Sequence, residues 1–244
     1  MSPEADSSAH APRARRLWLL GASVVVALLI AGILIVVSQG GDDPKPAAGP
    51  TGAGNAAKLF EGIPQAATTL GRPDAPVTLV EFVDLQCRFC ADYSRDVLPT
   101  IVERYVRPGQ VKLELRTLAF IGLDSRRGAA GTAVTVRGNR AWQFSEAFFA
   151  SQGREESGYA TDEFLRSVAT RAEVDPRIVV EAANSGVRPP TVAQAQSQAA
   201  QSGIRGTPAF LIGPTDGRLQ RFAVRSIDPT TFSQGIEAAL RKAR

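Results

Sequence analysis

Histidine and cysteine are nearly absent from this sequence: among 244 residues there are one His and two Cys. The histidine, His10, lies in a polar N-terminal stretch, so neither a Cys/His metal set nor a Ser-His-Asp triad can be assembled, and no metal site is expected. Two cysteines cannot form a disulfide framework. A basic run is missing too. Lys+Arg number 28 against 24 Asp+Glu, a net +4, without the one-sided clustering that phosphate binding needs, so no nucleic-acid partner is expected. No internal repeat is present. What the chain does have is 44% apolar and 21% charged residues, enough to bury a core and to exclude a wholly disordered protein.

Residues 17–37 (LWLLGASVVVALLIAGILIVV) run without a charge and as a helix would span about 31 Å, sufficient for a bilayer core of about 30 Å. The stretch exceeds the apolar length usual for a cleaved signal peptide, and no small-x-small cleavage site follows it. Arg13, Arg15 and Arg16 precede it and Asp42 and Asp43 follow. The positive-inside bias therefore predicts a cytoplasmic tail over 1–16, a retained single-pass anchor over 17–37, and everything beyond outside the cytoplasm at the cell membrane. The Arg15-Arg16 doublet is also compatible with twin-arginine export. Residues 38–58, rich in Gly, Pro and Ala, predict a flexible linker with a reach of about 25 Å.

From residue 59 to 244 the pattern alternates between strand and helix. Val77 to Val83 (VTLVEFV) predicts a strand covered on both faces. Phe89, Tyr93, Val97, Ile101 and Tyr105 recur every four residues and predict a helix. Val111 to Phe120 alternates apolar with charged residues and predicts a second strand. Between about 125 and 203 helical segments dominate: one carries Trp142, Phe144, Phe148 and Phe149, one opens at Thr161, one at Asp175-Pro176, and one runs from Thr191 to Ser202 with Gly203 to end it. Pro208 to Ile212 and Arg218 to Val224 predict a hairpin, and Pro229 to Lys242 a closing helix.

Cys87-Arg88-Phe89-Cys90 follows the first strand and opens the first helix, where unpaired amides and the helix dipole favour an anion such as a thiolate. Two cysteines one turn apart can cycle between dithiol and disulfide. A static bridge, or half of a zinc site completed by another chain, are the competing readings, and an extracytoplasmic setting favours redox cycling.

The stretch GRPDAPVTLVEFVDLQCRFC (Gly71 to Cys90), with SGIRGTPAFLIG (Ser202 to Gly213) beyond the helical stretch, resembles the DsbA-like thiol-disulfide oxidoreductases of the thioredoxin superfamily, in their membrane-tethered bacterial envelope branch. The resemblance implies an α/β fold, a thioredoxin fold with an inserted α-helical domain, and enzymatic exchange of disulfides with exported proteins. It makes Cys87 the exposed nucleophile and Cys90 the buried resolving cysteine. It assigns Glu81 to a buried acid that handles protons for Cys90, and Gly206, Thr207 and Pro208 to a cis-proline loop that receives substrate. On residue type alone Glu81 shares a strand face with Leu79 and Val83, so it is neutral with a raised pKa, reached by water, or on an edge strand facing solvent. Asp84 reads as a solvated turn residue.

Arg88 and Phe89 depart from the Pro-containing dipeptide of many oxidising relatives. Arg88 offers a screened cation that tunes Cys87, and Phe89 packs or contacts substrate. No cofactor is implied beyond the redox-active Cys87-Cys90 disulfide itself. The implied partners are exported proteins with cysteine thiols and a membrane re-oxidant of the DsbB or VKOR type. Disulfide donation is the leading expectation. A reductase or isomerase of the same fold, or a non-catalytic metal-handling or chaperone module, are the alternatives.

Overall fold

The computed structural model describes residues 58–243. The tail, the anchor at 17–37, the Arg15-Arg16 doublet and the linker, save Lys58, lie outside the described residues. Among the described residues no helix is long and apolar enough to cross a membrane.

Two short strands, β1 (Gln65–Ala66) and β2 (Thr69–Leu70), lead into β3 (Val77–Asp84). A helical run follows: α1 (Arg88–Asp96), then α2 (Leu98–Ile101), which passes into a π-helical turn at Val102–Val106. After β4 (Val111–Leu118) come five helices, α3 (Leu123–Thr135), α4 (Ala141–Phe149), α5 (Asp162–Arg171), α6 (Pro176–Asn184) and α7 (Pro190–Gln201). The chain returns through β5 (Ala209–Pro214) and β6 (Gln220–Phe222) and closes with α8 (Pro229–Lys242).

One six-stranded sheet has the order β1-β2-β4-β3-β5-β6. The central strand β3 runs parallel to β4 and antiparallel to β5, pairing Glu81 with Leu115 on one side and Phe210 on the other. All eight residues of β3 are buried, because helices cover both sheet faces. Leu79 and Val83 join one core cluster with residues of α1, α2 and α8; Val80 and Phe82 join another with Ala195 and Ala199 of α7. The alternation of side chains along a strand therefore sends Glu81 into the first cluster, toward α1.

Capping follows residue chemistry. Thr161 Oγ1 accepts from Phe164 N at 3.2 Å, Asp175 Oδ1 from Arg177 N at 2.9 Å, and Asp228 Oδ1 from Thr231 N at 2.9 Å. Each satisfies an amide the helix cannot, typically for about 1 kcal/mol.

Three elements depart from the sequence expectation. Helix α3 carries no apolar stripe; it packs through small residues, and a Cβ at Gly131 would lie 2.5 Å from Phe144 Cζ. The second hairpin strand is confined to Gln220–Phe222. Phe89 belongs to the four-residue periodicity, yet is 58% exposed while Tyr93, Val97, Ile101 and Tyr105 are buried. At the start of α1 nothing among the described residues covers this end of the stripe, so the packing alternative for Phe89 is corrected to an exposed apolar side chain.

Candidate active site at the Cys87–Cys90 pair

β3 delivers the cysteines to the N-terminus of α1. Cys87 is the N-cap, with its backbone N donating to Asp84 O at 2.9 Å, and its side chain caps no amide. Both cysteines are free thiols. Cys90 is fully buried and Cys87 is 5% exposed, so the expectation of an exposed Cys87 is corrected. The Thr207–Pro208 loop packs over it: Cys87 Sγ donates to Thr207 O at 3.3 Å, and the Thr207–Pro208 peptide is cis. Gly206 beside it is exposed.

The two thiols are driven apart. Cys87 is lowered from 9.0 to about 6, chiefly by the Cys90 thiol hydrogen-bonded to it, with help from Thr207 and the backbone amides of Cys90 and Phe89, and against burial. Thr207 Oγ1 is buried without a partner among the described residues, leaving its hydroxyl available to a thiolate. Burial, and then Cys87 itself, push Cys90 well above 9.0. The pair thus has one sulfur disposed to ionise and one to keep its proton.

Arg88 points away from this work. Its guanidinium is largely in solvent, with Nε 4.0 Å from Asp92 Oδ2. Water screens such a charge, which leaves Arg88 little tuning power over Cys87.

Beneath Cys90, on the same helix face, lie Tyr93 and Ser94, three and four residues on. The Tyr93 hydroxyl donates to Glu81 Oε1, and Ser94 Oγ donates to Glu146 Oε2 at 2.5 Å. Glu81 is 1% exposed and Glu146, on α4, 9%. Burial pushes Glu81 up to about 8, opposed by the Tyr93 hydrogen bond and reinforced by the Glu146 charge. Burial pushes Glu146 up to about 7, opposed by Ser94. Glu81 faces the core, which removes the edge-strand alternative. Tyr93 also packs on Phe210 and Phe232, with ring centroids 4.9 and 5.1 Å away.

These two acids make stability fall as pH rises. A carboxyl group whose folded pKa is raised contributes stability that is fully present below its unfolded value, here 4.5, and lost as pH climbs through the folded values of about 7 and about 8. In the oxidised protein, where the thiols do not titrate, the urea midpoint should therefore drop between about pH 4.5 and 8, and Glu81→Gln with Glu146→Gln should flatten the drop. An equal drop in the double variant would remove these acids as its cause.

Asp84 is corrected outright. It is fully buried, with Oδ1 accepting from Gln86 N at 2.9 Å and Ser125 Oγ at 2.5 Å, and Oδ2 from Phe120 N at 3.0 Å and Ile121 N at 3.4 Å. Gln152 Nε2 donates to Leu85 O at 2.8 Å and Cys87 O at 3.2 Å. The cysteine loop is thereby tied to the helical region. Asp84, Gln86, Gln152, Ser94 and Glu146 went unassigned as site residues in the sequence; the available signal was the position of Ser94 one helical turn after Cys90. Among the described residues no group of three or more His, Cys, Asp or Glu could hold a metal ion.

The thioredoxin family model matches residues 65–223, which takes in the cysteine pair, the acid at Glu81 and the cis-proline loop. The chain belongs to the thioredoxin family. Within it, the probable disulfide bond formation protein D of Bacillus anthracis is 36% identical over 115 residues, 46% of this chain and 52% of that protein. The disulfide bond formation protein D of Bacillus subtilis is 30% identical over the same length and shares. The chain spans about half the length of these curated relatives. Among solved thioredoxin-family structures, oxidised BdbD from Bacillus subtilis superposes with a TM-score of 0.63 at 24% identity, covering 73% of this chain and 97% of that one. Wolbachia pipientis alpha-DsbA1 gives 0.62 at 19%, covering 77% and 97%. At such identities the likeness establishes the fold: a DsbA-like thioredoxin fold, α/β, with helices α3 to α7 inserted between β4 and β5.

Proposed function

We propose that this protein is an extracytoplasmic thiol-disulfide oxidoreductase, held at the cell membrane by residues 17–37, that donates the Cys87–Cys90 disulfide to exported proteins. The observation that carries the reading is the placement of the pair: Cys87 at the N-cap of α1 bonds the cis Thr207–Pro208 loop while Cys90 lies fully buried one turn on, which disposes the first sulfur to ionise and the second to keep its proton.

In the donating direction a substrate thiolate attacks Cys87 Sγ. The Cys87–Cys90 bond breaks, a substrate–Cys87 bond forms, and Cys90 leaves as a thiolate that takes up a proton. Glu81, protonated at neutral pH and bonded to Tyr93, supplies that proton and regains one from water. A second substrate thiolate then attacks the substrate sulfur of the mixed disulfide and expels Cys87 as a thiolate, a good leaving group because of its low pKa. Two electrons pass from substrate to the pair. Stabilising the Cys87 thiolate stabilises the reduced protein, at about 30 mV of oxidising power for each unit of pKa depression. Reoxidation of the dithiol falls to a membrane partner of the DsbB or VKOR type.

Mixed with a reduced, unfolded protein bearing two cysteines, the oxidised protein should transfer one disulfide per Cys87–Cys90 pair. Absence of transfer, or activity only in reducing disulfides, would overturn the reading. For the anchor, the intact chain should sediment with membranes and resist alkaline extraction; release of the whole domain into the soluble fraction would exclude it.

A further inference from the structure

We propose that Glu155, on the loop after α4, is an electrostatic brake on Cys87: its carboxylate occupies the first amide of α1 and opposes a second negative charge at the same helix terminus.

The N-terminal amides of α1 lie between two anions. Those of Phe89 and Cys90 help to lower Cys87 without capping its sulfur, and that of Cys90 donates to Cys87 O at 3.1 Å. The amide of Arg88 donates instead to Glu155 Oε1 at 3.1 Å, from a residue 67 positions away. A helix terminus carries roughly half a positive charge, within reach of its first turn, so a carboxylate seated there competes with a thiolate seated there.

The loop holds Glu155 in place. On one side of it Gln152 Nε2 binds Leu85 O and Cys87 O. On the other, the Glu156 amide donates to Gln86 Oε1, and the amides of Gly158 and Ala160 donate to Asp124 at 2.9 and 3.2 Å. The nearby cation does not offset the carboxylate, since Arg88 is turned to Asp92, which Arg95 also binds at 2.8 Å. Across the site the Thr207–Pro208 loop contributes a hydroxyl and a carbonyl to the sulfur's surroundings. Glu155 touches no reacting atom; it is a positioning residue that acts through the Arg88 amide.

The inference deepens the disulfide-donor reading and rests on it, because the Cys87 thiolate is the group that leaves the mixed disulfide. It gives the inserted helical region a chemical role: setting how readily Cys87 ionises, and so how oxidising the pair is.

The test is a titration of the Cys87 thiolate absorbance in the reduced protein. Glu155→Gln keeps an acceptor for the Arg88 amide and removes only the charge. At low ionic strength it should lower the Cys87 pKa by about half a unit, the size expected for an exposed charge at a helix terminus. That corresponds to a potential about 15 mV more oxidising. Glu155→Lys should lower the pKa further, and added salt should shrink both differences. A loop that had merely loosened would fray the start of α1 and raise the pKa, so the direction separates charge from structure. A wild-type pKa well below that of a free thiol, with Glu155→Gln unchanged or raised, would overturn the role of Glu155 and leave the donor reading standing. A wild-type pKa near the free value would overturn the donor reading itself.

Discussion

Replacing Cys90 with serine should turn the protein into a covalent trap. In the variant the Cys87 thiolate still attacks a partner's disulfide, expels one partner sulfur as a thiolate and stays bonded to the other. In the wild type Cys90 stands one helical turn away with its backbone N 3.1 Å from Cys87 O, and its attack on Cys87 releases the partner intramolecularly. Effective molarities of well-oriented intramolecular reactions reach about 10⁵ M and above, so removing Cys90 should lengthen the life of the mixed disulfide by about 10³-fold or more and reduce turnover to background. Non-reducing electrophoresis checks it: adducts should appear with Cys90→Ser, vanish with dithiothreitol and be absent when Cys87 is also replaced. A Cys90→Ser protein that turns over at the wild-type rate would show that Cys90 does not resolve the intermediate, and a variant that forms no adduct at all would point to a module that binds without a covalent bond.

Asp84→Ala should be the most destabilising single change near the site. The carboxylate satisfies three backbone amides and the Ser125 hydroxyl, joining β3, the segment after β4 and α3. Truncation strands buried donors and opens a small cavity, a combination that costs about 3 to 5 kcal/mol. For a domain of this size that is about 6 to 20 °C in Tm. The denaturant midpoint should fall with the m-value unchanged. A loss below about 1 kcal/mol would show that Asp84 is exposed to solvent in the working protein, as its position just before a turn suggests from sequence.

The contrast between these two residues indicates what a sequence can carry. The cysteine pair is legible because its chemistry is local: two sulfurs two residues apart, after a buried strand and at the start of a helix. Glu81 is legible because it interrupts a continuous apolar run. Asp84 is not, because its partners Phe120, Ile121 and Ser125 lie 36 to 41 residues away and nothing in its neighbourhood announces them. The same holds for Glu146 and Glu155, which reach the site only once α4 and its loop have folded against α1. Helix α3 escapes a periodicity search because its buried residues include Gly128, Ala129, Ala130 and Gly131; close packing there depends on small side chains, where an apolar stripe depends on large ones. Phe89 fails in the opposite sense, fitting the period but standing exposed at the start of α1, beside the buried Cys90.

Whether the Cys87–Cys90 pair works as a disulfide donor is decided by its redox state in intact cells. Rapid acid quenching freezes thiol exchange, and alkylation before and after reduction then counts the free thiols. Most of the protein should carry the Cys87–Cys90 disulfide, so that both cysteines become reactive only after a reductant is added. A population held mostly as the dithiol would rule out a donor and make the protein a reductase or isomerase.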